Sequence, residues 1–213
     1  DIGGTWYWNR YPGARCDAPS LQYSYQFSES LQQEWEWSET YSSQAEILKY
    51  LNHVAERFDL RSAIRFETTV QRAIYNEINK LWTIDTDKGS SVTTRFCILA
   101  TGCLSTAKTP DIPGVDEFIG ECFHTSNWPH EEIDFRGKRV GIIGTGSTGI
   151  QAIPVIAETA LELKVFQRTA QYSTPARNGL MDKAYEAQIK ANYAGFRAHN
   201  YRQPVAMDIV IDR

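Results

Sequence analysis

Residues 138–160 read KRVGIIGTGSTGIQAIPVIAETA, and no other stretch restricts the fold so tightly. An apolar run, Val140 to Ile143, meets the turn Gly144-Thr145-Gly146-Ser147-Thr148-Gly149, and an apolar segment of helical length follows. Strand, glycine turn and helix in direct succession open a dinucleotide-binding βαβ unit. Gly144 permits the tight turn, Gly146 lets the backbone approach a pyrophosphate, and Gly149 lets the helix pack close to the strand. The unbonded N–H groups of the first helical turn, which Ser147 and Thr148 enter, then face the phosphates. A strand–helix turn without a ligand is the plainer alternative, and the flanking strand and helix argue against it. Pro154 lies inside the helix and is expected to kink it.

The following strand, ELKVFQRT (162–169), bears on which nucleotide would bind. NAD-binding versions end this strand on an acid that holds the ribose 2′-hydroxyl. Here the residues are Gln167-Arg168-Thr169, with Arg168 placed 24 residues past Gly144. A guanidinium makes a forked, charge-assisted contact with a 2′-phosphate, and the Thr169 hydroxyl adds another, so NADPH is favoured over NADH. A solvated arginine at a strand end is the alternative. The charge distribution agrees with an anionic ligand. Residues 1–137 hold 12 basic and 20 acidic side chains, and residues 138–213 hold 10 and 6. That change of sign suggests two units, the second better suited to an anion. The net charge of −4 argues against a nucleic-acid partner.

Elsewhere the patterns are simpler. SQAEILKYLNHVAERF (43–58) is expected to be a helix, with Ser43 and Glu46 as a capping box and Ile47, Leu51, Val54, Ala55 and Phe58 on one face. Three strands are expected at 68–75, 81–86 and 93–102, as an antiparallel meander. The third ends in an uninterrupted apolar stretch, as a strand buried on both faces would. KTPDIPGV (108–115) is a connector, and a helix is expected at 181–196. Cys16, Cys97, Cys103 and Cys122 show no CxxC spacing, which fits reduced thiols and a cytoplasmic location. No run of about 18 apolar residues marks a membrane span. No clustered ligands mark a metal site. The opening DIGGTWYWNRYPGARCD sets Trp6, Tyr7, Trp8 and Tyr11 between glycine turns. An aromatic hairpin or partner patch and a wall around a planar ligand both fit this composition.

Four stretches, GGTWYWNRYPGARCD, the ATG at 100–102, FIGECFHTSNWP and GTGSTG, together resemble the flavin-dependent Baeyer–Villiger monooxygenases. The likeness is to the phenylacetone and cyclohexanone monooxygenase type and runs from residue 1 to about 180. Phe118, Gly120, His124, Trp128 and Pro129 match every fixed position of that family's FxGxxxHxxxWP fingerprint. Related N-oxidising flavin monooxygenases lack its Trp-Pro ending. The resemblance implies an α/β, Rossmann-like flavoprotein with two dinucleotide-binding domains, truncated at both ends, and with the meander inserted in the FAD domain. It divides the chain into an FAD-binding part (1–107), a linker carrying the fingerprint (108–137) and an NADPH-binding part (138–213).

The resemblance also implies residue roles. Gly3, Gly4, Thr5, Trp6, Trp8, Arg15, Cys16, Asp17, Tyr23, Val70 and Gly102 would serve FAD. Gly144, Gly146, Ser147, Thr148, Gly149, Arg168 and Thr169 would serve NADPH. Asp17 would position an arginine that the family carries outside these residues, and His124 would act structurally or as a gate rather than as a base. The implied reaction inserts one oxygen atom of O2 beside a ketone carbonyl to give an ester or lactone. N- or S-oxygenation is the alternative within the same chemistry. For these residues alone, an inactive nucleotide-binding piece is the other alternative.

Overall fold

Two small cores form, and the loop from Tyr11 to Asp17 contributes to both. The computed structural model describes residues 1–103 and 105–203. The chain opens with a single helical turn, α1 (Thr5–Trp8), where an aromatic hairpin was one expectation. After α2 (Glu29–Glu34) comes the long helix α3 (Gln44–Arg57), then the short α4 (Leu60–Ala63). Ser43 caps α3, its hydroxyl accepting from the Glu46 N–H at 3.4 Å. The expected reciprocal half of the capping box does not form. The Glu46 carboxylate instead accepts from the Ser38 N–H and Oγ at 2.7 and 2.8 Å, which pins the preceding loop. Ile47, Val54 and Ala55 are buried as their spacing requires, and Tyr50 joins them. Phe58 falls past the last turn and is 38% exposed.

Strands β1 (Val70–Asn76), β2 (Leu81–Thr86) and β3 (Ser91–Thr94) form the antiparallel meander, in order β1-β2-β3. Here the third expected strand is corrected. It begins at Ser91 and stops at Thr94, and Phe96, Ile98 and Leu99 are 77%, 89% and 74% exposed. A strand buried on both faces needs ladders and layers beside it, and among the described residues nothing pairs with 95–102. The linker 108–137 holds two single 3-10 turns, Val115–Glu117 and Thr125–Asn127.

The glycine-turn unit then forms as read. β4 (Arg139–Ile143) leads to α5 (Ser147–Ala157), which returns to β5 (Glu162–Phe166), and β4 and β5 pair in parallel. α5 continues for three residues past Pro154. Tyr11, Ala14, Ala152 and Ile156 make the core of this unit, with Trp128, Phe135, Val140 and Leu163 packed around it.

The expected helix at 181–196 is two helices, α6 (Lys183–Ala191) and α7 (Tyr193–Asn200). Asn192 separates them because its side chain accepts from the Gly195 N–H at 3.0 Å and starts a new helix. Both helices pack on the first core, with Met181 and Tyr193 beside Leu21, Leu31, Trp37 and Ile47. Arg197 of α7 is buried, donating to the Gln22 carbonyl at 2.9 Å and to Ser24 Oγ at 2.7 Å. Glu186 of α6 is buried too, and Lys183 lies 2.8 Å from it.

Ile47 is 1% exposed and Ile78, in the β1–β2 turn, is 96% exposed. In urea unfolding of the full-length protein, Ile47→Ala is expected to cost about 2–5 kcal/mol. Ile78→Ala is expected to stay within about 0.5 kcal/mol of the parent.

Candidate functional site

The glycine turn is built around two close approaches and one open face. Gly144 has φ of +104°, a left-handed conformation, and its N–H donates to the Phe166 carbonyl at 2.9 Å, closing the turn on β5. A Cβ on Gly149 would stand 2.5 Å from the Gly144 carbonyl oxygen, so only glycine lets α5 start this close to β4. A Cβ on Gly146 would meet nothing within 4 Å. Gly146 is also the N-cap of α5, and no side chain there accepts from the first-turn N–H groups. The turn therefore presents uncapped N–H donors and the positive end of a helix toward empty space, a cradle that fits a phosphate. Gln167 Nε2 donates to Thr145 Oγ1 at 2.7 Å, tying the end of β5 to the turn. Arg168 and Thr169 follow directly and are exposed.

On the other side of α5 lies the Tyr11–Asp17 loop. Gly13 has φ of +78°, and a Cβ there would collide with the Gln151 carbonyl, so the loop backbone rests directly on the helix. The Gln151 side chain then reads the loop. Its Oε1 accepts from Tyr11 Oη at 2.8 Å and from the Arg15 N–H at 3.2 Å. Its Nε2 donates to the Arg15 carbonyl at 3.1 Å and to Asp17 Oδ1 at 2.6 Å. Burial pushes the Tyr11 hydroxyl above its ordinary pKa.

A cleft of about 420 Å³ opens beside α1, lined in part by Gly3, Thr5, Trp6, Tyr23, Tyr25 and Tyr50. Trp6 Nε1 donates to Tyr23 Oη at 3.0 Å, and the two rings meet edge-on at 5.9 Å. Gln44 Nε2 donates to the Trp6 carbonyl and fixes α1 on α3. Burial raises the Tyr23 hydroxyl and pushes Tyr50 up to about 12; Tyr23 Oη accepts from Trp6, and Tyr50 Oη accepts from the Tyr25 N–H at 3.0 Å. Aromatic walls with a few fixed donors suit a large planar group.

The sequence pattern of the pyridine nucleotide-disulphide oxidoreductases matches residues 20–193. The chain belongs to that family. It is 49% identical over 199 residues to a 2-oxo-Δ3-4,5,5-trimethylcyclopentenylacetyl-CoA monooxygenase of Pseudomonas putida, covering 91% of this chain and 36% of the relative. It is 47% identical over 193 residues to a cyclohexanone 1,2-monooxygenase of an Acinetobacter species, covering 91% and 35%. The chain thus spans about a third of the length of these relatives. Among solved structures, an oxidized steroid monooxygenase bound to NADP superposes with a TM-score of 0.88 at 57% identity, covering 94% of this chain and 38% of that one. OTEMO in complex with FAD and NADP gives 0.90 at 47% identity, covering 97% and 40%. The chain resembles Baeyer–Villiger monooxygenases, and its fold is the α/β arrangement of these FAD- and NADP-bound neighbours.

Within this family member, the residues singled out from sequence fall into three places. Gly144, Gly146, Ser147, Thr148 and Gly149 form the turn itself. Gly3, Thr5, Trp6 and Tyr23 line the cleft, with Gly4 and Trp8 in the same short turn. Val70 and Gly102 do not line it; Val70 is 56% exposed in β1 and Gly102 sits in an exposed left-handed bend. Arg15 and Cys16 turn into packing. The Arg15 guanidinium donates to Glu39 at 2.9 Å and to the Tyr41 carbonyl at 3.1 Å. Cys16 is buried, and burial raises its thiol.

The fingerprint clamps these parts together. His124 Nδ1 accepts from the Ser126 N–H at 3.3 Å and pairs with Ser126 Oγ at 2.7 Å, so this ring caps a 3-10 turn. The Phe118 ring lies over Gly120, and a Cβ there would stand 2.6 Å from the tip of that exposed ring, which could swing aside. Trp128 packs on Phe135 and enters the core of the glycine-turn unit, while Pro129 is half-buried. The His130 ring meets the Tyr7 ring at 5.3 Å with the planes tilted by 54°, a contact between the linker and α1.

Sequence reasoning missed Gln151 and Tyr11 as site residues. The available signals were a tight Pro12-Gly13 turn that must rest against something, and an amide side chain two residues past the last turn glycine. Gly149→Ala in the full-length protein should drive α5 off the turn and cost about 1–3 kcal/mol, read as a lower urea midpoint.

Proposed function

We propose that these residues form the central part of an FAD- and NADPH-dependent monooxygenase. The enzyme would insert one oxygen atom of O2 beside a small ketone's carbonyl to give an ester or lactone. The observation that carries this reading is the uncapped, open glycine turn with Arg168 just past β5. It occurs in a chain 57% identical to a steroid monooxygenase bound to NADP. The relatives' names supply the monooxygenase activity, and the resemblance to Baeyer–Villiger enzymes supplies the ketone.

In this reading residues 1–107 serve the flavin, 108–137 link, and 138–213 serve NADPH, with residues 204–213 outside the described part. The first-turn N–H groups of α5 hold the pyrophosphate, and Arg168 with Thr169 hold the 2′-phosphate. Gly3, Gly4, Thr5, Trp6, Trp8 and Tyr23 hold the flavin along the aromatic cleft, with Val70 and Gly102 as further contacts. Asp17, exposed at the end of the Tyr11–Asp17 loop, positions an arginine that stabilises negative charge near the reacting carbonyl. When bound, the flavin supplies the activation of O2 and the oxygen transfer; the protein's part is to orient, exclude water and balance charge. Among the described residues no helix is long and apolar enough to cross a membrane. Four free cysteines support a cytoplasmic setting.

Two variants of the full-length protein test the nucleotide assignment. Gly146→Ala has room for its methyl group, so stability should hold while NADPH affinity falls at least about tenfold, because the methyl occupies the phosphate's space. Arg168→Ala should raise the Michaelis constant for NADPH by about 10- to 100-fold and leave that for NADH nearly unchanged. Equal changes for both nucleotides would remove Arg168 from the 2′-phosphate. Oxidation of an amine with no turnover of any cyclic or linear ketone would overturn the substrate class.

A further inference from the structure

We propose that Gln151 is a positioning residue that transmits occupancy of the glycine turn to Asp17. The proposal rests on the nucleotide reading above and adds a route through the protein. Gln151 stands one helical turn after Ser147, so the segment whose first N–H groups face the phosphate carries it rigidly. Its main chain and its side chain both bear on one loop. The carbonyl abuts Gly13, and the carboxamide makes four hydrogen bonds, to Tyr11, to both backbone groups of Arg15, and to the Asp17 carboxylate at 2.6 Å.

That pattern is more than packing requires. Pairing with both the N–H and the C=O of Arg15 fixes the position and the plane of the peptide segment leading to Asp17. A displacement of α5 by a bound pyrophosphate is therefore felt at the Asp17 carboxylate without any loose joint. The same segment is held on its side-chain side as well, because the Arg15 guanidinium is bound by Glu39, and Glu39 by Asn178. By this route NADPH or NADP+ at the turn sets where Asp17 stands, and so where Asp17's own partner stands, over the flavin cleft.

The test is amide hydrogen exchange on the flavin-loaded full-length protein with and without NADP+. In the parent, NADP+ should slow exchange at residues 144–149 and also at 15–17. In Gln151→Met, which keeps the side-chain length and removes the carboxamide, slowing at 144–149 should persist and slowing at 15–17 should vanish. Gln151→Glu, which keeps acceptors for Tyr11 and Arg15 but opposes Asp17 with a carboxylate, should also lose the response at 17. Slowing at 15–17 that survives in both variants, or is absent in the parent, overturns the coupling alone. No slowing at 144–149 in the parent overturns the nucleotide reading and the coupling with it. Should either Gln151 variant fail to fold, reciprocity provides a separate measurement, because coupling between two sites acts equally in both directions. Asp17→Ala, which removes the acceptor of the Gln151 amide, should then weaken NADP+ binding about fivefold in calorimetry, and a dissociation constant within twofold of the parent overturns the proposal.

Discussion

The contact of the Tyr11–Asp17 loop with α5 is the constraint on which this arrangement depends. Tyr11 and Ala14 belong to the core under the glycine turn, and Cys16 and Ala18 belong to the core under α3. Only a residue without a Cβ can sit at Gly13, because the helix backbone occupies that space. The hydrogen bonds of Gln151 then specify how the loop lies on the helix. Part-buried amide bonds of this kind contribute modestly one by one, about 1 kcal/mol net, and together they hold one loop conformation. The geometry of the loop is therefore well determined, although its core is small.

The second structural theme is exposure. The chain presents 15635 Å² of accessible surface, against roughly 10,000 Å² for a globular protein of its mass. Among the described residues, Phe96, Ile98, Leu99 and Leu161 are 77%, 89%, 74% and 73% exposed, and β4 and β5 form a sheet of two strands. A parallel sheet is normally covered on both faces, and Ile143 and Phe166 remain 68% and 55% exposed. These surfaces suit a chain that spans about a third of its relatives' length. They account for the absence of a third long strand, whose apolar pattern is correct for a buried site that these residues do not themselves build.

The aromatic cleft and the glycine turn divide the chemistry. The turn offers backbone donors and a helix end, and so selects charge without selecting shape. The cleft offers ring faces with protonated tyrosines, and so selects a flat apolar body. Trp128 of the fingerprint enters one core, and His130, just past the fingerprint, meets Tyr7 of α1. His124 is occupied as a cap acceptor, which suits a fixed turn better than a proton carrier.

Several features were legible in the sequence because their causes are local. Gly144, Gly146 and Gly149 follow from backbone geometry, Ser43 from helix capping, and the β1–β2–β3 order from alternating patterns and turns. The helix break at Asn192 and the use of Glu46 on Ser38 were not legible, since each depends on which partner wins a polar side chain. The tertiary structure alone decided that Arg15 serves an ion pair and that α6 and α7 complete the first core. It also decided that Gln151 of α5 bonds to Asp17, residues 134 positions apart. Local periodicity and backbone sterics act over a few residues, so they write themselves into sequence. Contacts across that separation are chosen by packing, and packing has no signature in a single chain's spacing.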